Sequence, residues 1–360
     1  MSKKIGVVTG GGDCPGLNAV IRAVAKASAK RGWECVGILG GYEGLLEPQR
    51  TKSLDYQTLS GLLPRGGTIL GTANRGKFSA KVGHGERRAL PRELLEGVKK
   101  GMEALGLFAL VSIGGDGSLS ISQQLFEYGI PVVGVPKTID NDLEGTLFTF
   151  GFDSAVSSAT DALDRLHTTA ESHNRVMVLE VMGRYAGWIA LYAGVAGGAD
   201  VILIPEIPFS YKSVCAKVQE REDLGKNFTI IVVAEGAREK DGEFVTSCAQ
   251  TKIGEARLGG IGAIVSTEVE KRTGKESRVC VLGHLQRGGS PTTFDRALCS
   301  MFGATAVELV AGGHFGKMVA FTGPQVGAVE ISKAIGKLKT VQPDGNLIRT
   351  ARALGICLGD

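Results

Sequence analysis

Short apolar runs that alternate with amphipathic segments constrain the fold of this chain more than any other feature. In roughly the first 150 residues these runs are "KKIGVVTG", "ECVGILGG", "FALVSIGG" and "PVVGVPKT", each about the length of one strand. Segments with helical periodicity, such as "NAVIRAVAKASAKRG" and "LPRELLEGVKKGMEALG", lie between them. Continuously apolar strands that alternate with helices are typical of a parallel sheet covered on both faces. We therefore predict an α/β fold with mainly parallel sheets.

The same pattern starts again after about Phe152. The later strand-like runs are "RVMVLEVMG", "DVILIPE", "FTIIVVAEGA" and "RVCVLGHLQRGG", and helix-like segments such as "SAVSSATDALDRLHTTAES" separate them. A chain of 360 residues is longer than one compact core normally accommodates. We predict a second α/β lobe of similar construction, with a boundary near residue 150.

Charge and cysteine content exclude several classes of function. The 41 basic and 37 acidic residues nearly balance and form no long run of one sign, so we predict neither a nucleic-acid nor a membrane partner. The seven cysteines are scattered and never form a C-x-x-C pair, which argues against a disulfide framework or a structural zinc site. The sequence predicts a cytoplasmic protein without a signal peptide or membrane span.

Glycine-rich loops follow two of the predicted strands in the first lobe. Gly10, Gly11 and Gly12 follow the first, and the run "GGDGS" places Asp116 among glycines where a helix begins. Glycines let a backbone approach a ligand closely, and helix N-termini favour anions, so both loops are candidate phosphate sites. Asp116 is a candidate magnesium ligand. The alternatives are a structural turn and an acidic first turn of a helix.

The next strand ends in "PKTIDND". Asp140 and Asp142 lie two residues apart and can face one side of the loop, where a carboxylate can accept a proton from a hydroxyl group. An Asx-turn is the structural alternative.

Cations gather around strand ends in the second lobe. Arginines suit bidentate binding of phosphate, so this set predicts a receptor for an anionic substrate. The alternatives are solvated surface charges and a buried structural histidine. The set consists of Arg175, Arg184, Arg278, His284 and Arg287, with Glu235 closing a further strand.

Six motifs in a fixed order resemble the phosphofructokinases, which phosphorylate fructose 6-phosphate at its 1-hydroxyl group. They are "GGDCPGLNAVIR", "RGGTILGT", "GGDGS", "PKTIDND", "VMGRYAG" and "GHLQRGGSP", and they cover nearly the whole chain. The resemblance implies a glycolytic kinase that uses ATP and Mg²⁺, with its active site in the cleft between two α/β lobes. It assigns residues 1–150 plus about 286–325 to the lobe that binds nucleotide and metal. It assigns about 151–285 plus 326–360 to the lobe that binds the sugar phosphate.

The resemblance also implies roles for the matching residues. Asp140 becomes the base that takes the proton of the sugar 1-hydroxyl, with Thr138 and Asp142 positioning substrate and metal, and Arg184 stabilises the transferring phosphoryl group. Asp116 holds Mg²⁺. The residues implied to bind ATP are Gly12, Arg75, Gly76, Gly115, Asp116, Gly117 and Ser118. The residues implied to contact the sugar are Met182, Gly183 and Glu235, and those implied to bind its 6-phosphate are Arg175, Arg278, His284 and Arg287.

The family usually forms homotetramers, or sometimes homodimers, in which the equivalents of Arg175 and Arg278 reach into a neighbouring subunit's site. We therefore predict a homo-oligomer.

Gly117 and Lys137 bear on the phosphoryl donor. Pyrophosphate-dependent members typically read "GGDD" and "PKTIDND", and allosteric ATP-dependent members read "GGDG" and "PGTIDND", so this chain combines one element of each. An aspartate at position 117 would bring a negative charge to the α-phosphate of ATP, whereas a lysine at 137 excludes nothing. The sequence favours ATP.

Three alternatives stay open at this point. They are a pyrophosphate-dependent phosphotransferase, a non-catalytic sugar-phosphate sensor on the same fold, and a NAD or lipid kinase, since those kinases share the "GGDG" motif in related form. Retention of both Asp116 and Asp140 argues against the sensor, because a protein without catalysis has little chemical reason to keep a metal ligand and a base.

Overall fold

The structure is a computed structural model that describes residues 2–73, 76–78, 81–82, 86–87, 89–248 and 257–360. Fifteen strands and eleven α-helices lie within the described residues. The strands are β1 (Lys4–Thr9), β2 (Glu34–Ile38), β3 (Thr51–Ser53), β4 (Lys81–Val82), β5 (Glu86–Arg87), β6 (Leu107–Gly114), β7 (Val132–Pro136), β8 (Val176–Val181), β9 (Val201–Leu203), β10 (Thr229–Ala234), β11 (Thr246–Cys248), β12 (Arg257–Leu258), β13 (Ser277–Val281), β14 (Lys317–Phe321) and β15 (Val326–Glu330).

The helices differ widely in length, and no described helix is long and apolar enough to cross a membrane. They are α1 (Leu17–Lys30), α2 (Tyr56–Leu59), α3 (Arg92–Leu105), α4 (Asp116–Glu127), α5 (Phe152–His173), α6 (Trp188–Ala196), α7 (Tyr211–Asp223), α8 (Ile261–Thr273), α9 (Thr293–Ala311), α10 (Ile331–Ala334) and α11 (Asn346–Ala353).

The larger sheet has seven strands in the order β15-β14-β7-β6-β1-β2-β3. Five of them run parallel, and the two edge strands, β15 and β3, run antiparallel to their neighbours. All five residues of β7 are buried, as expected for a continuously apolar strand inside a covered sheet. Helices α1, α3, α4 and α9 pack against this sheet. The parallel α/β construction predicted for the first half is confirmed.

The second sheet has four parallel strands in the order β13-β8-β10-β9. Every residue of β10 is buried, and helices α6 and α8 pack against the strands. The edge strand β13 differs, because Val279 and Val281 on it are 40% and 54% exposed. An exposed apolar edge strand is unusual unless something covers it.

Contacts divide the chain into two compact units. The first unit comprises Met1–Thr138, Asp142–Ser154 and Arg287–Leu338, and the second comprises Ile139–Asn141, Ala155–Gln286 and Lys339–Asp360. The sequence-based division differs at Ile139–Asn141, which we expected in the first lobe, and at 326–338, which we expected in the second. The latter stretch belongs to the first unit because β15 pairs with β14 in the seven-stranded sheet, and because α10 packs against α4.

Candidate active site

Three of the predicted loops lie at one edge of the larger sheet. Strands β1, β6 and β7 are adjacent and parallel, so the loops after their carboxyl ends meet at the same edge, where ligands of such sheets gather. The Gly10 N–H donates to the carbonyl of Ile113 at 2.9 Å, and the Lys137 N–H donates to the carbonyl of Gly114 at 2.9 Å. Backbone hydrogen bonds therefore continue from the strands into the loops and fix their spacing.

The glycines of these loops are required by close packing on Ser118. A Cβ on Gly10 would lie 2.5 Å from the Ser118 Oγ, and a Cβ on Gly114 would collide with the Ser118 side chain. Ser118 is itself buried in the first turn of α4. Two of the glycine-rich segments are thus packed against each other through one small side chain, which only glycine allows.

Asp116 is the first residue of α4, and Gly115 is its N-cap. A helix N-terminus presents backbone N–H groups and the positive end of the helix dipole, which favour a phosphate group. No group of three or more His, Cys, Asp or Glu side chains that could hold a metal occurs among the described residues. The donors present fit a Mg²⁺ ion held by Asp116 together with the phosphates of a nucleotide, the arrangement that magnesium usually adopts.

A buried hydroxyl network supports α4 from behind, and sequence reasoning missed it. The Tyr42 hydroxyl lies 2.5 Å from the Ser112 Oγ and 3.0 Å from the Ser122 Oγ, and it donates to the Ser118 carbonyl at 3.0 Å. Ser112 lies on β6, so the network ties the strand to the first two turns of the helix. No local sequence motif identifies Tyr42, because its partners lie 70 to 80 residues away.

The loop after β7 contains Lys137, Thr138, Asp140, Asn141 and Asp142, all of them buried. The Thr149 hydroxyl donates to the Thr138 carbonyl at 2.7 Å, and Asn141 has a left-handed backbone with φ 52°. Lys137 is only 4% exposed. Burial raises the pKa of the nearby Cys14 thiol to about 12, and the Lys137 charge acts in the opposite direction. The Lys137 ammonium therefore lies close enough to the loop after β1 to affect its electrostatics.

Arg184, Glu235 and Asp140 come together in the second unit. Arg184 follows β8 and Glu235 follows the neighbouring parallel strand β10, so both leave the same edge of the four-stranded sheet. The Arg184 N–H donates to the Glu235 Oε1 at 3.0 Å, and the Arg184 Nε lies 4.0 Å from the Asp140 Oδ2. The structure thus places the predicted base beside the predicted phosphoryl-stabilising arginine.

The backbone of Arg184 is left-handed, with φ 52°, which is uncommon for a residue other than glycine. Two nearby glycines leave the space that this local backbone needs. A Cβ on Gly236 would collide with the Arg184 carbonyl, and a Cβ on Gly183, whose φ is 143°, would lie 2.6 Å from the Ala186 carbonyl. Met182, the other residue predicted here, donates its N–H to the Gln286 Oε1 at 2.8 Å. Backbone strain of this kind is found where a side chain is held for function.

Burial raises the pKa of the Glu235 carboxyl to about 7. The hydrogen bond from the Arg184 N–H lowers this pKa, the negative charge of Asp140 raises it, and the positive charge of Arg184 lowers it. Burial has the largest effect, so Glu235 changes its charge near neutral pH. A carboxyl that titrates close to working pH, beside a base and an arginine, is characteristic of active sites.

Arg175 and Arg278 lie at the opposite edge of the same sheet. Arg175 directly precedes β8, and Arg278 is the second residue of β13. The five steps of β8 span about 16 Å at the usual rise per residue. Both guanidinium groups pair with Glu276, and the Arg175 Nε lies 2.7 Å from the Glu276 Oε2. Arg175 and Arg278 therefore cannot join Arg184 and Glu235 of the same chain on one small ligand.

The two remaining members of the predicted phosphate receptor, His284 and Arg287, belong to one short 3₁₀ segment, Gly283–Arg287. His284 is exposed in the short 3₁₀ segment after β13. Arg287 lies in the first unit, where its Nη1 donates to the Asp13 carbonyl at 3.2 Å and lies 2.9 Å from the position of a Cβ on Gly12. Arg287 is thus placed against the glycine loop after β1.

One predicted nucleotide contact, Arg75, lies outside the described residues. Its neighbour Gly76 has φ 118°, and a Cβ there would collide with the Glu43 carboxylate, which accepts the Lys77 N–H at 2.8 Å. Gly76 is consequently required by its local backbone geometry and its packing on Glu43.

Comparison with known proteins identifies relatives along the full length of the chain. A family profile described as "Phosphofructokinase" matches residues 4–310. An ATP-dependent 6-phosphofructokinase of Chloroflexus aurantiacus is 55% identical over 99% of this chain and 98% of its own length. A pyrophosphate–fructose 6-phosphate 1-phosphotransferase of Streptomyces coelicolor is 50% identical over 94% of this chain and 96% of its own length.

A similar solved structure is that of Pichia pastoris phosphofructokinase, with a TM-score of 0.81 and 31% identity over 93% of this chain. This chain covers 36% of the longer yeast chain.

Proposed function

The chain belongs to the phosphofructokinase family, and from this membership and the arrangement of Asp140, Arg184 and Glu235 we propose that it transfers the γ-phosphoryl group of ATP to the 1-hydroxyl of fructose 6-phosphate. The products are fructose 1,6-bisphosphate and ADP. The observation that carries this proposal is the 4.0 Å approach of the Arg184 Nε to the Asp140 Oδ2. This approach places a proton acceptor beside a cation that is suited to bind a phosphoryl group.

ATP binds at the loops after β1 and β6 in this proposal. Backbone N–H groups at the helix N-terminus, at Gly115, Gly117 and Ser118, donate to the phosphates, and Gly12 lets the chain approach them closely. Arg75 and Gly76 complete the nucleotide contacts. Asp116 would hold Mg²⁺, which when bound neutralises part of the phosphate charge.

Asp140 acts as the general base. Its carboxylate accepts the proton of the 1-hydroxyl as the oxygen attacks the γ-phosphorus, and the bond to the ADP oxygen breaks in line. Arg184 donates to the equatorial oxygens of the transferring group, where negative charge is spread in the transition state. Thr138 and Asp142 help to position the substrate and the metal. Positioning and charge stabilisation are the main contributions that a protein makes to this reaction.

The sugar lies against Met182 and Gly183, with one of its hydroxyl groups donating to Glu235. His284 and Arg287 of the same chain, together with Arg175 and Arg278 of a neighbouring copy, hold the 6-phosphate. Two observations support a homo-oligomer in which these arginines reach another subunit's site. Arg175 and Arg278 lie at the far edge of the sheet, and the edge strand β13 exposes two valines. The free, scattered cysteines of the described residues support a cytoplasmic location.

Pyrophosphate is the second candidate donor, favoured by the buried Lys137 and by the Streptomyces relative. We expect product from ATP and little from pyrophosphate when purified protein, fructose 6-phosphate and Mg²⁺ are followed by ³¹P NMR. We expect Gly117→Asp to lower kcat/KM for ATP at least about tenfold, because a second carboxylate beside Asp116 repels the nucleotide phosphates.

Gly117→Ala is the matched control, since it adds a methyl group without charge. Both substitutions lie in the first turn of α4, where an acidic residue is favourable for the helix, so a loss confined to Gly117→Asp does not reflect unfolding. Turnover with pyrophosphate and none with ATP would identify pyrophosphate as the donor.

The pKa of Glu235 predicts a pH dependence of sugar binding. The ionised carboxylate, which predominates above about pH 7, is the better acceptor for a sugar hydroxyl. We therefore expect KM for fructose 6-phosphate to rise as the pH falls from 8 to 6. Glu235→Gln should raise KM about tenfold at pH 8 and remove this component of the pH dependence, because an amide does not titrate in this range.

The phosphate group of the substrate also titrates, near about pH 6, and it does so in assays of both proteins. The difference between the pH profiles of wild type and Glu235→Gln therefore reports Glu235 alone. Glu235→Ala tests a second property. The glutamine side chain can still accept the Arg184 N–H through its oxygen, whereas alanine cannot, so kcat should fall further in Glu235→Ala. Equal pH profiles for wild type and Glu235→Gln would refute the assignment of Glu235 to sugar binding.

A further inference from the structure

Asn141 lies between the two carboxylates of the loop after β7, so its backbone conformation affects the direction in which the loop continues. It is 2% exposed and left-handed, with φ 52°. Asparagine accepts this conformation more readily than most residues but does not enforce it. Because Asp140 and Asp142 flank Asn141, a contact that holds Asn141 also fixes where both carboxylates lie.

Lys339, near the C-terminus, makes such a contact. Its Nζ donates to the Asn141 Oδ1 at 3.0 Å and lies 5.7 Å from the centre of the Trp188 ring, within the range of a cation–π interaction. The Trp188 indole N–H donates to the Lys339 carbonyl at 2.9 Å. Trp188, the first residue of α6, therefore holds both the backbone and the ammonium group of Lys339.

The segment that carries Lys339 is fastened to the same helix a second time. The Glu206 Oε1 accepts the Val341 N–H at 2.8 Å and the Gly187 N–H at 3.0 Å. Gly187 is the N-cap of α6, so Glu206 joins the helix start to the C-terminal segment two residues after Lys339. Lys339 is thus anchored at its backbone, and its ammonium group is presented to Asn141 from a rigid support.

We propose that Lys339 is a positioning residue for phosphoryl transfer, which holds Asn141 so that the Asp140 carboxylate points at the substrate hydroxyl. This inference rests on the proposed function, in which Asp140 is the base. It assigns a role in turnover to a residue 198 positions away in the sequence from Asn141. A displaced base loses the alignment on which proton transfer depends, so the effect falls on kcat more than on nucleotide binding.

A double-mutant cycle tests the proposal. Lys339→Met removes the ammonium group and keeps the aliphatic stem, whereas Asn141→Gly removes the acceptor and keeps the left-handed backbone accessible. We expect each to lower kcat about tenfold with KM for ATP within about twofold of wild type. The double variant should be no slower than the slower single variant, because one shared interaction has been removed. Lys339→Arg, which keeps a charged donor, should recover kcat to within about threefold of wild type.

Lys337→Met is the matched control, since Lys337 is exposed in the same segment, and it should leave kcat unchanged. All rates are measured well below the thermal midpoint of the least stable variant. Should Lys339→Met fail to fold, Lys339→Gln takes its place in the cycle. Losses that multiply to about 100-fold in the double variant, or a lowered thermal midpoint with unchanged kcat, would overturn the proposal.

The wild-type rate separates the two levels of inference. A wild-type protein that forms no fructose 1,6-bisphosphate with either ATP or pyrophosphate contradicts the proposed function. An active wild type whose kcat is insensitive to Lys339 contradicts only the positioning role.

Discussion

Asp140→Asn is expected to lower kcat by at least about 100-fold, the scale for loss of a general base. Asparagine has nearly the same shape as aspartate but cannot take up the proton of the 1-hydroxyl group. Because the substitution leaves the Glu235 side chain and the cations in place, we expect binding of fructose 6-phosphate at pH 8 to stay within about threefold of wild type, a difference of less than 1 kcal/mol. Steady-state turnover and calorimetric titration with the sugar phosphate measure the two quantities separately.

The matched control is Asp164→Asn, an exposed position on α5, which should change neither quantity. The Asp140 variant also tests the electrostatics of the site. Since the negative charge of Asp140 raises the pKa of Glu235, its removal should lower the midpoint of the pH dependence of KM for the sugar. Unchanged turnover in Asp140→Asn would remove this residue from the role of base.

Arg184→Gly is expected to lower kcat by about 100- to 1,000-fold, which is typical for removal of a group that stabilises charge in the transition state. Glycine adopts the left-handed conformation of this position without strain and keeps the N–H that Glu235 accepts. The loss then reports the guanidinium group alone. Arg184→Lys should recover part of the activity, because an ammonium group restores charge but not the planar pair of donors.

Two readouts make this prediction specific. The positive charge of Arg184 lowers the pKa of Glu235, so Arg184→Gly should raise the midpoint of the pH dependence of KM, opposite to Asp140→Asn. Asp241→Gly is the control for the backbone, because Asp241 is also left-handed, with φ 64°, and lies in an exposed turn. Full activity in Arg184→Gly would contradict the proposed stabilisation of the phosphoryl group.

The sequence was a good guide to the loops of the first unit because their chemistry is local. Gly10, Gly115 and Lys137 each come directly after a strand, and the parallel pattern indicates that such ends meet at one edge. The sequence predicted the positions of the cations in the second lobe less precisely. Arg184 and Arg175 flank the same strand and look alike in the sequence, yet β8 places them at its two ends.

Several contributors had no recognisable signal. Tyr42 and Lys339 act on residues far away in the sequence, and neither lies in a motif that we interpreted. Gln286 does lie in an interpreted motif, but its hydrogen bond to the Met182 N–H depends on the distance between two segments that are 104 residues apart. The boundary at 326–338 was wrong for the same reason, because an antiparallel edge strand joins a sheet by pairing that its own sequence does not specify.

By itself, the sequence determined the α/β class, the glycine loops at strand ends and the six motifs of the family, because periodicity, turn chemistry and motif order are properties of neighbouring residues. Only the tertiary structure decided which of those residues work together. It set Arg184 against Glu235 and Asp140, moved Arg175 and Arg278 to the far edge of the sheet, and brought Lys339 to Asn141. Strand order and packing between distant segments fix these pairings, and they arise from the burial of apolar surface over the whole chain rather than from any local pattern.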